Sequence, residues 1–397
     1  MKTEINNIEE LQNFLLPKLV FDYNQPFQFE NIHFKFSLGN NFGELFKLKH
    51  LMDNGSQSTQ FSMVNHYIFD NCRFDENVIV VGNFEKKVTF KNNCLINGLN
   101  FDEATFNSNI RFYECTFTNT CSFDNTKFID LIDFWHSTFK IPVSFYKTDF
   151  LSTTVFSACT FEENVLFTYS LFKDKVIFRG TTFVKGLDIS LALNSGEYNF
   201  FNISLNNYVS KKHSKEADYN EMISNCIIPT INKKETFRII KQHFESNGDD
   251  LEYVKYLKLE KKPIFEIVTQ NLVKTKPKKF WNYPHHIFDI ISLGLNRISN
   301  NHRNSYLLGI LFTIGIGLAF FSLSVISLPD YQFEWNPFKW DMDEFWKNYL
   351  TFMNPTHDAD LFDDFRPTGW TYFWQTLGRI FVGYGIYQTV QAFRKLK

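Results

Sequence analysis

Between Phe90 and Ile189 large apolar residues recur at alternating steps of five and six. The rungs are Phe90, Leu95, Phe101, Phe106, Phe112, Phe117, Phe123, Phe128, Phe134, Phe139, Phe145, Phe150, Phe156, Phe161, Phe167, Phe172, Phe178, Phe183 and Ile189. No α-helix and no flat sheet has this period. A fixed repeat predicts a solenoid, in which each coil buries its apolar face against the next. Residues two before a rung share its side of a strand. Ahead of one rung class they are mostly β-branched or apolar: Leu99, Ile110, Cys121, Ile132, Val143, Thr154, Val165, Val176 and Leu187. Ahead of the other they are small: Ala104, Cys115, Thr126, Ser137, Thr148, Cys159, Ser170 and Thr181. The intervening residues are mostly polar, as an outer surface requires.

On these residues the chain resembles the pentapeptide-repeat family. Thr105-Phe106-Asn107, Cys115-Thr116-Phe117 and Thr126-Lys127-Phe128 fit its unit. The resemblance implies a right-handed quadrilateral β-helix, with one large residue on each of four sides. The repeat covers roughly residues 61–204, with weaker rungs at Phe69, Phe74, Ile79 and Phe84. The extra residue in alternate units is expected as a bulge at a corner. With about 4.8 Å between stacked strands, five to six coils make a rod about 25 Å long. The scaffold serves unrelated functions, so it does not give this one.

Two apolar stretches follow. Tyr306–Leu328 has no charge, and Thr371–Phe393 has one, Arg379. Each is long enough to cross a bilayer. Trp370, Tyr372 and Trp374 suit an interfacial belt at the start of the second. The expected organisation is a capping helix in 1–25, with Asn6–Val20 amphipathic, and a β-helix over 26–204. A helical linker with a basic juxtamembrane region occupies 205–303, and two transmembrane helices occupy 304–397, with an outer loop at 329–369. Within the linker, Glu235–Ser246 and Asp249–Lys262 read as helices around Asn247-Gly248. The membrane part implies an α-helical companion to the β fold.

Charge sharpens this layout. Residues 1–204 hold 17 Lys and Arg against 23 Asp and Glu; residues 205–303 hold 17 against 11; residues 329–369 hold 3 against 9. The positive-inside rule places both termini in the cytoplasm and the loop outside. A multi-pass protein of the inner (plasma) membrane is expected. No secretory h-region opens the chain. The six cysteines form no CxxC, and Cys72, Cys115, Cys121 and Cys159 sit at positions two before a rung as small apolar fillers.

Within the loop, Met342, Phe345, Trp346, Tyr349, Leu350 and Met353 follow helical spacing. Asp358, Asp360, Asp363 and Asp364 follow. They form either a solvated acidic tail or an outer vestibule that gathers cations. On the second span, Gln375, Arg379, Val382, Ile386 and Thr389 share a face and are the candidate pore-lining residues. Arg379 could instead snorkel outward or pair with an aspartate. Gly315 and Ala319 on the first span give small-residue packing spacing. Val382-Gly383-Tyr384-Gly385 spells most of a potassium-filter signature, but inside the last span, where glycines for packing explain it better. Lys274, Lys276, Lys278 and Lys279 form a basic run suited to anionic headgroups, or to an anionic nucleotide or oligonucleotide ligand. No GxxxxGK[ST], HExxH or GxSxG motif occurs, and His285-His286 has no ligand at metal spacing. No enzyme activity, cofactor, metal or duplex-DNA partner is expected.

The full combination looks like membrane-anchored pentapeptide-repeat proteins with a channel-like two-span domain. That resemblance implies an oligomeric ion channel or pore-forming effector, with a tetramer as the expected assembly and a cytoplasmic β-helix as sensor or scaffold. A ligand-gated antiviral effector fits the same picture. The alternatives are a non-conducting membrane-tethered scaffold, or a DNA-mimic inhibitor that uses the acidic 1–204 region.

Overall fold

The computed structural model describes residues 3–15, 26–37, 62–63, 66–79, 82–205, 208–213, 215–274, 283–329, 341–356 and 366–394. In it the Phe ladder folds into parallel strands in register every 22 residues. Phe106 aligns with Phe128, Phe150 and Phe172 on one side of the coil. Phe90, Phe112, Phe134, Phe156, Phe178 and Phe200 stack on the next, in an eight-stranded sheet. Phe117, Phe139, Phe161 and Phe183 stack on the third, and Phe123, Phe145 and Phe167 on the fourth. The result is a four-sided β-helix. Its rings stack nearly parallel: Phe134 lies 5.1 Å from Phe112 and 5.2 Å from Phe156, at interplanar angles of 6° and 4°.

The corners explain the small companion residues. In each five-residue step the chain turns through one residue at positive φ. These are Glu103, Asn125, Lys147 and Tyr169 at one corner, and Glu114, His136, Ala158, Gly180 and Asn202 at the other. The residue that closes the turn donates its N–H to the Phe that opens it, as Ser137 does to Phe134 O at 3.0 Å. Its side chain then donates to a carbonyl of the preceding coil. Thr126 Oγ1 reaches Phe101 O at 2.7 Å, Ser137 Oγ reaches Phe112 O at 2.8 Å, and Thr148 Oγ1 reaches Phe123 O at 2.7 Å. A small hydroxyl therefore satisfies a buried carbonyl that a larger residue would displace.

Two rungs differ from expectation. Leu95 and Ile79 turn outward; Ile96 is buried in place of Leu95, and Val78 is buried in register with Leu99, two before a rung. The coil carries both Asn92 and Asn93 at positive φ, one more left-handed residue than other corners, so the step from Phe90 lengthens to reach Ile96. The strand register shifts between Phe74 and Asn77 to compensate. This also places Cys94 two before a true rung, fully buried between Cys72 of the preceding coil and Cys115 of the next. Asp133, whose place between strand positions reads as outward, is buried as well. It accepts the Trp135 N–H at 3.0 Å, and burial pushes its carboxyl above the usual range.

Both ends of the solenoid are covered. Thr3–Ile5 pairs with Ile32–Phe34, and helix Ile8–Leu15 buries Leu11; the rest of the expected Asn6–Val20 helix lies outside the described residues. At the other end the chain beyond Leu205 belongs to the β-helical unit, which runs to His243. Helix Glu216–Ser224, not foreseen, and helix Thr230–Ser246 follow the last coil. Asn232 Nδ2 donates to Asp188 at 2.8 Å, and the Thr236 hydroxyl accepts from Ile189 N at 3.3 Å. Lys233 donates to Tyr208 O at 2.7 Å, and Phe237 packs on the Tyr208 ring. These contacts use backbone and side-chain groups that an open edge would leave for another chain.

Phe244–Lys397 forms a second unit. Asp250–Lys274 continues through Pro263, which removes one backbone bond and does not end the helix. Tyr283–Asn300 is a further helix, one the sequence analysis does not foresee. Tyr306–Ile326, Met342–Phe352 and Gly369–Phe393 follow. Of the described helices, Tyr306–Ile326 alone is long and apolar enough to cross a membrane by length and composition.

Candidate functional site: the antiparallel helix pair

Small residues decide how the two long C-terminal helices meet. On Tyr306–Ile326 the buried positions are Gly309, Thr313, Gly317, Phe321 and Ser324. On Gly369–Phe393 they are Thr371, Gln375, Gly378, Val382, Gly385, Gln388 and Ala392. A Cβ on Gly309 would stand 2.6 Å from Thr389 Oγ1, and one on Gly385 would stand 2.4 Å from Thr313 Oγ1. Tyr306 stacks on Phe393 at one end, and Ser327 Oγ donates to Thr371 Oγ1 at 3.0 Å at the other. The helices are therefore antiparallel and in contact over their whole length. Thr313 and Thr389 bond to carbonyls one turn back, at 2.7 and 2.9 Å, which keeps their hydroxyls satisfied away from water.

The expected packing cue was misplaced. Gly315 meets nothing within 4 Å, and the contact runs through Gly309 and Gly317 instead. Several small residues occur on this helix, and the sequence does not say which stripe finds a partner.

Helix Met342–Phe352 packs against the pair. Asp341 caps it, accepting from Asp343 N and Glu344 N at 3.1 Å, with two acids in its first turn and no basic residue in its last. Phe352 is fully buried, and its ring meets Phe321 at 5.7 Å. A Cβ on Gly378 would stand 2.3 Å from Phe352 Cζ, and one on Gly317 2.3 Å from Met353 Sδ. Tyr349 donates to Ile314 O at 2.8 Å. Gly317 lies nine residues before Ile326, about 14 Å along a helix at 1.5 Å per residue. The short helix is thus wedged to the middle of the pair. It does not lie across its end.

The candidate pore-lining residues divide. Gln375 and Val382 are buried in the pair, and Thr389 packs on Gly309. Ile386 is exposed, and Arg379 is half-buried. Both amide atoms of Gln375 and the Nε of Arg379 are buried without a hydrogen-bond partner. The five residues therefore do not share one open face. The packing of Gly309 and Gly317 against the last helix turns three of them inward. Lys274 ends a helix, and Lys276, Lys278, Lys279, Asp358, Asp360, Asp363 and Asp364 lie outside the described residues.

At the foot of the pair, Asn300 Nδ2 donates to Gln388 Oε1 at 2.6 Å and to Gln388 O at 2.9 Å. Gln388 Nε2 and the Tyr384 hydroxyl donate to Asn296 Oδ1 at 3.1 and 3.2 Å. This polar cluster was not read from sequence; two asparagines at i and i+4 on an amphipathic helix were the available signal. Among the described residues no cluster of three His, Cys, Asp or Glu stands at metal-binding distance.

Residues 101–149 match the family model for pentapeptide repeats, in nine copies. No curated protein and no solved structure matches the chain.

Proposed function

We propose that the chain is a two-span membrane protein whose C-terminal helices form one subunit of an oligomeric ion channel or pore-forming effector. In this reading the β-helix is its cytoplasmic sensor or scaffold. One observation carries it. Helix Met342–Phe352 packs against the two long helices as far as their middle and buries Phe352 there. Inside a bilayer such a re-entrant segment is tolerated only where protein or a water-filled cavity surrounds it. Its C-terminal end carries the partial negative charge of the helix dipole and has no basic residue to offset it. That end would sit deep in the bilayer and favour a cation near the middle of the unit.

The lining follows from the open face of the last helix. Thr376, Arg379, Gly383 and Ile386 lie along it, and Gly383 meets nothing within 4 Å. A second copy could approach closely there. Gln375, Val382 and Thr389 support the helix pair from within. A ring of arginines would raise the barrier to cations, or hold the pore shut until it is neutralised.

The test is planar-bilayer recording of purified protein in a salt gradient. Arg379→Gln should shift the reversal potential. Val382→Ile, inside the pair, should leave it unchanged. Absence of current from protein correctly inserted in the bilayer would favour the second reading, a tethered scaffold. That reading draws on a specific observation too: the small and polar faces of both long helices are spent on each other.

A further inference from the structure

Helix Tyr283–Asn300 has two opposed faces. Asn296 and Asn300 point to one side and are hydrogen-bonded to Gln388. At 100° per residue, Ile287, Ile291 and Ile298 fall on the opposite side, with Phe288 and Leu295 at its margin. Ile287 is 44%, Phe288 67%, Ile291 48% and Ile298 65% exposed. Four large apolar side chains on one free stripe are costly in water.

The helix does not swing freely. Asn301, His302 and Arg303 are all at positive φ and make a tight elbow before Ser305 caps the apolar helix. His302 N donates to Asn296 O at 3.1 Å, Ser305 N to Asn300 O at 3.0 Å, and Arg303 N to Asn300 Oδ1 at 2.9 Å. The elbow and the Gln388 cluster therefore hold the helix beside the end of the pair where Tyr306 meets Phe393. Exposed basic residues gather at the same end: Arg297, Arg303 and Arg394. Burial, then Lys261, Arg297 and Lys258, hold His302 below the usual histidine range, so the local field is positive. The basic run from Lys274 precedes the helix in sequence.

We propose that Tyr283–Asn300 is an interfacial helix. Its Ile287–Phe288–Ile291–Ile298 stripe sits among the acyl chains of the inner leaflet, and the surrounding arginines meet anionic headgroups. An amphipathic helix with a basic surround binds at that depth. The occupant is lipid because a tight elbow joins this helix to the apolar helix Tyr306–Ile326, whose first residues Tyr306 and Leu307 are also exposed, and because positive charge rims the elbow. The inference rests on the membrane reading above. Pinned to Gln388, the helix would carry forces between the bilayer surface and the foot of the last helix.

The experiment uses the full chain in vesicles of phosphatidylcholine and phosphatidylglycerol. Cys226, the one half-exposed native thiol among six, is changed to Ser. Single cysteines at Ile291, Asp289 or Leu318 then carry an environment-sensitive fluorophore. Lipids brominated near the headgroup should remove roughly half of the emission at Ile291 and little at Asp289. Lipids brominated near the chain ends should quench Leu318, which is exposed on the apolar helix. Quenching at Leu318 with none at Ile291 would overturn this proposal and leave the membrane reading standing. No quenching at Leu318 would remove both. Oxidative cross-linking of Ile291→Cys between copies, in place of quenching, would assign the stripe to a second copy and overturn the lipid occupant.

Discussion

Phe134 is the clearest case of a residue whose role its position dictates. It is fully buried, with a parallel ring above and another below. Phe134→Ala should cost about 3–5 kcal/mol, because a rod one side chain wide has little means of collapsing into the cavity. Hydrogen exchange of the surrounding coils should accelerate accordingly. The exposed Lys140→Ala should change exchange by no more than about 0.5 kcal/mol. Equal sensitivity at both positions would reject the register. A gain is expected at Ala158, which sits at φ 56° in a corner where Gly180 and Asn202 occupy equivalent places. A left-handed non-glycine residue costs about 1–2 kcal/mol and glycine's extra unfolded-state entropy about 0.5–1 kcal/mol, so Ala158→Gly should stabilise slightly. An unchanged or lower melting temperature would contradict that. Asp188 adds a pH dependence. Burial pushes its carboxyl above the ordinary 3.8, against hydrogen bonds from Ser190 and Asn232. A carboxyl raised on folding contributes stability that is present below its unfolded pKa and is lost as pH rises through the folded one. Asp188→Asn has no such term, so its melting temperature relative to the parent should rise from pH 4 to pH 7. A pH-independent difference would sink the account.

Elements in this chain are joined by residues that are small for a reason. Gly309 and Gly385 each face a threonine so closely that a Cβ would enter its hydroxyl. Gly385→Val should therefore separate the two long helices, whereas Gly315→Val, on the open side, should not. Disulfide trapping between cysteines at Tyr306 and Phe393, 4.6 Å apart as rings, reads the difference. Equal trapping in both variants would mean that the pair is held elsewhere. Gln375 works in the opposite sense. Its amide is buried and unpartnered, a cost of about 1–3 kcal/mol, so Gln375→Met should strengthen the pair.

For the whole molecule, the proposed topology makes a single demand. With Cys226→Ser in the background, a cysteine at Asp341 should react with an impermeant reagent on intact cells. One at Lys397 should react only after lysis. The reverse pattern, or reaction at both sites in intact cells, would remove the cytoplasmic-sensor model. The wedge of Met342–Phe352 should also protect Phe352→Cys from the same reagent in the absence of an open pore, since Phe352 is fully buried.

The β-helix was legible in the residue spacing, because a coil of 22 residues must return a large apolar group to each of four sides. That demand is local and repeats, so it is written in the spacing of Phe106, Phe128, Phe150 and Phe172. The helices from Tyr306, Met342 and Gly369 were legible for a similar reason: length, capping residues and apolar spacing act along one segment. The exchange of Leu95 for Ile96 was not, since an added left-handed residue at Asn92-Asn93 alters the step without altering composition. Contacts between distant segments settled which stripe of Tyr306–Ile326 meets its partner, that Phe352 is buried against the middle of the helix pair, and that Gln375 faces inward while Ile386 does not. Those outcomes depend on complementarity between segments tens of residues apart. A glycine reads the same in sequence whether another helix lies against it or not.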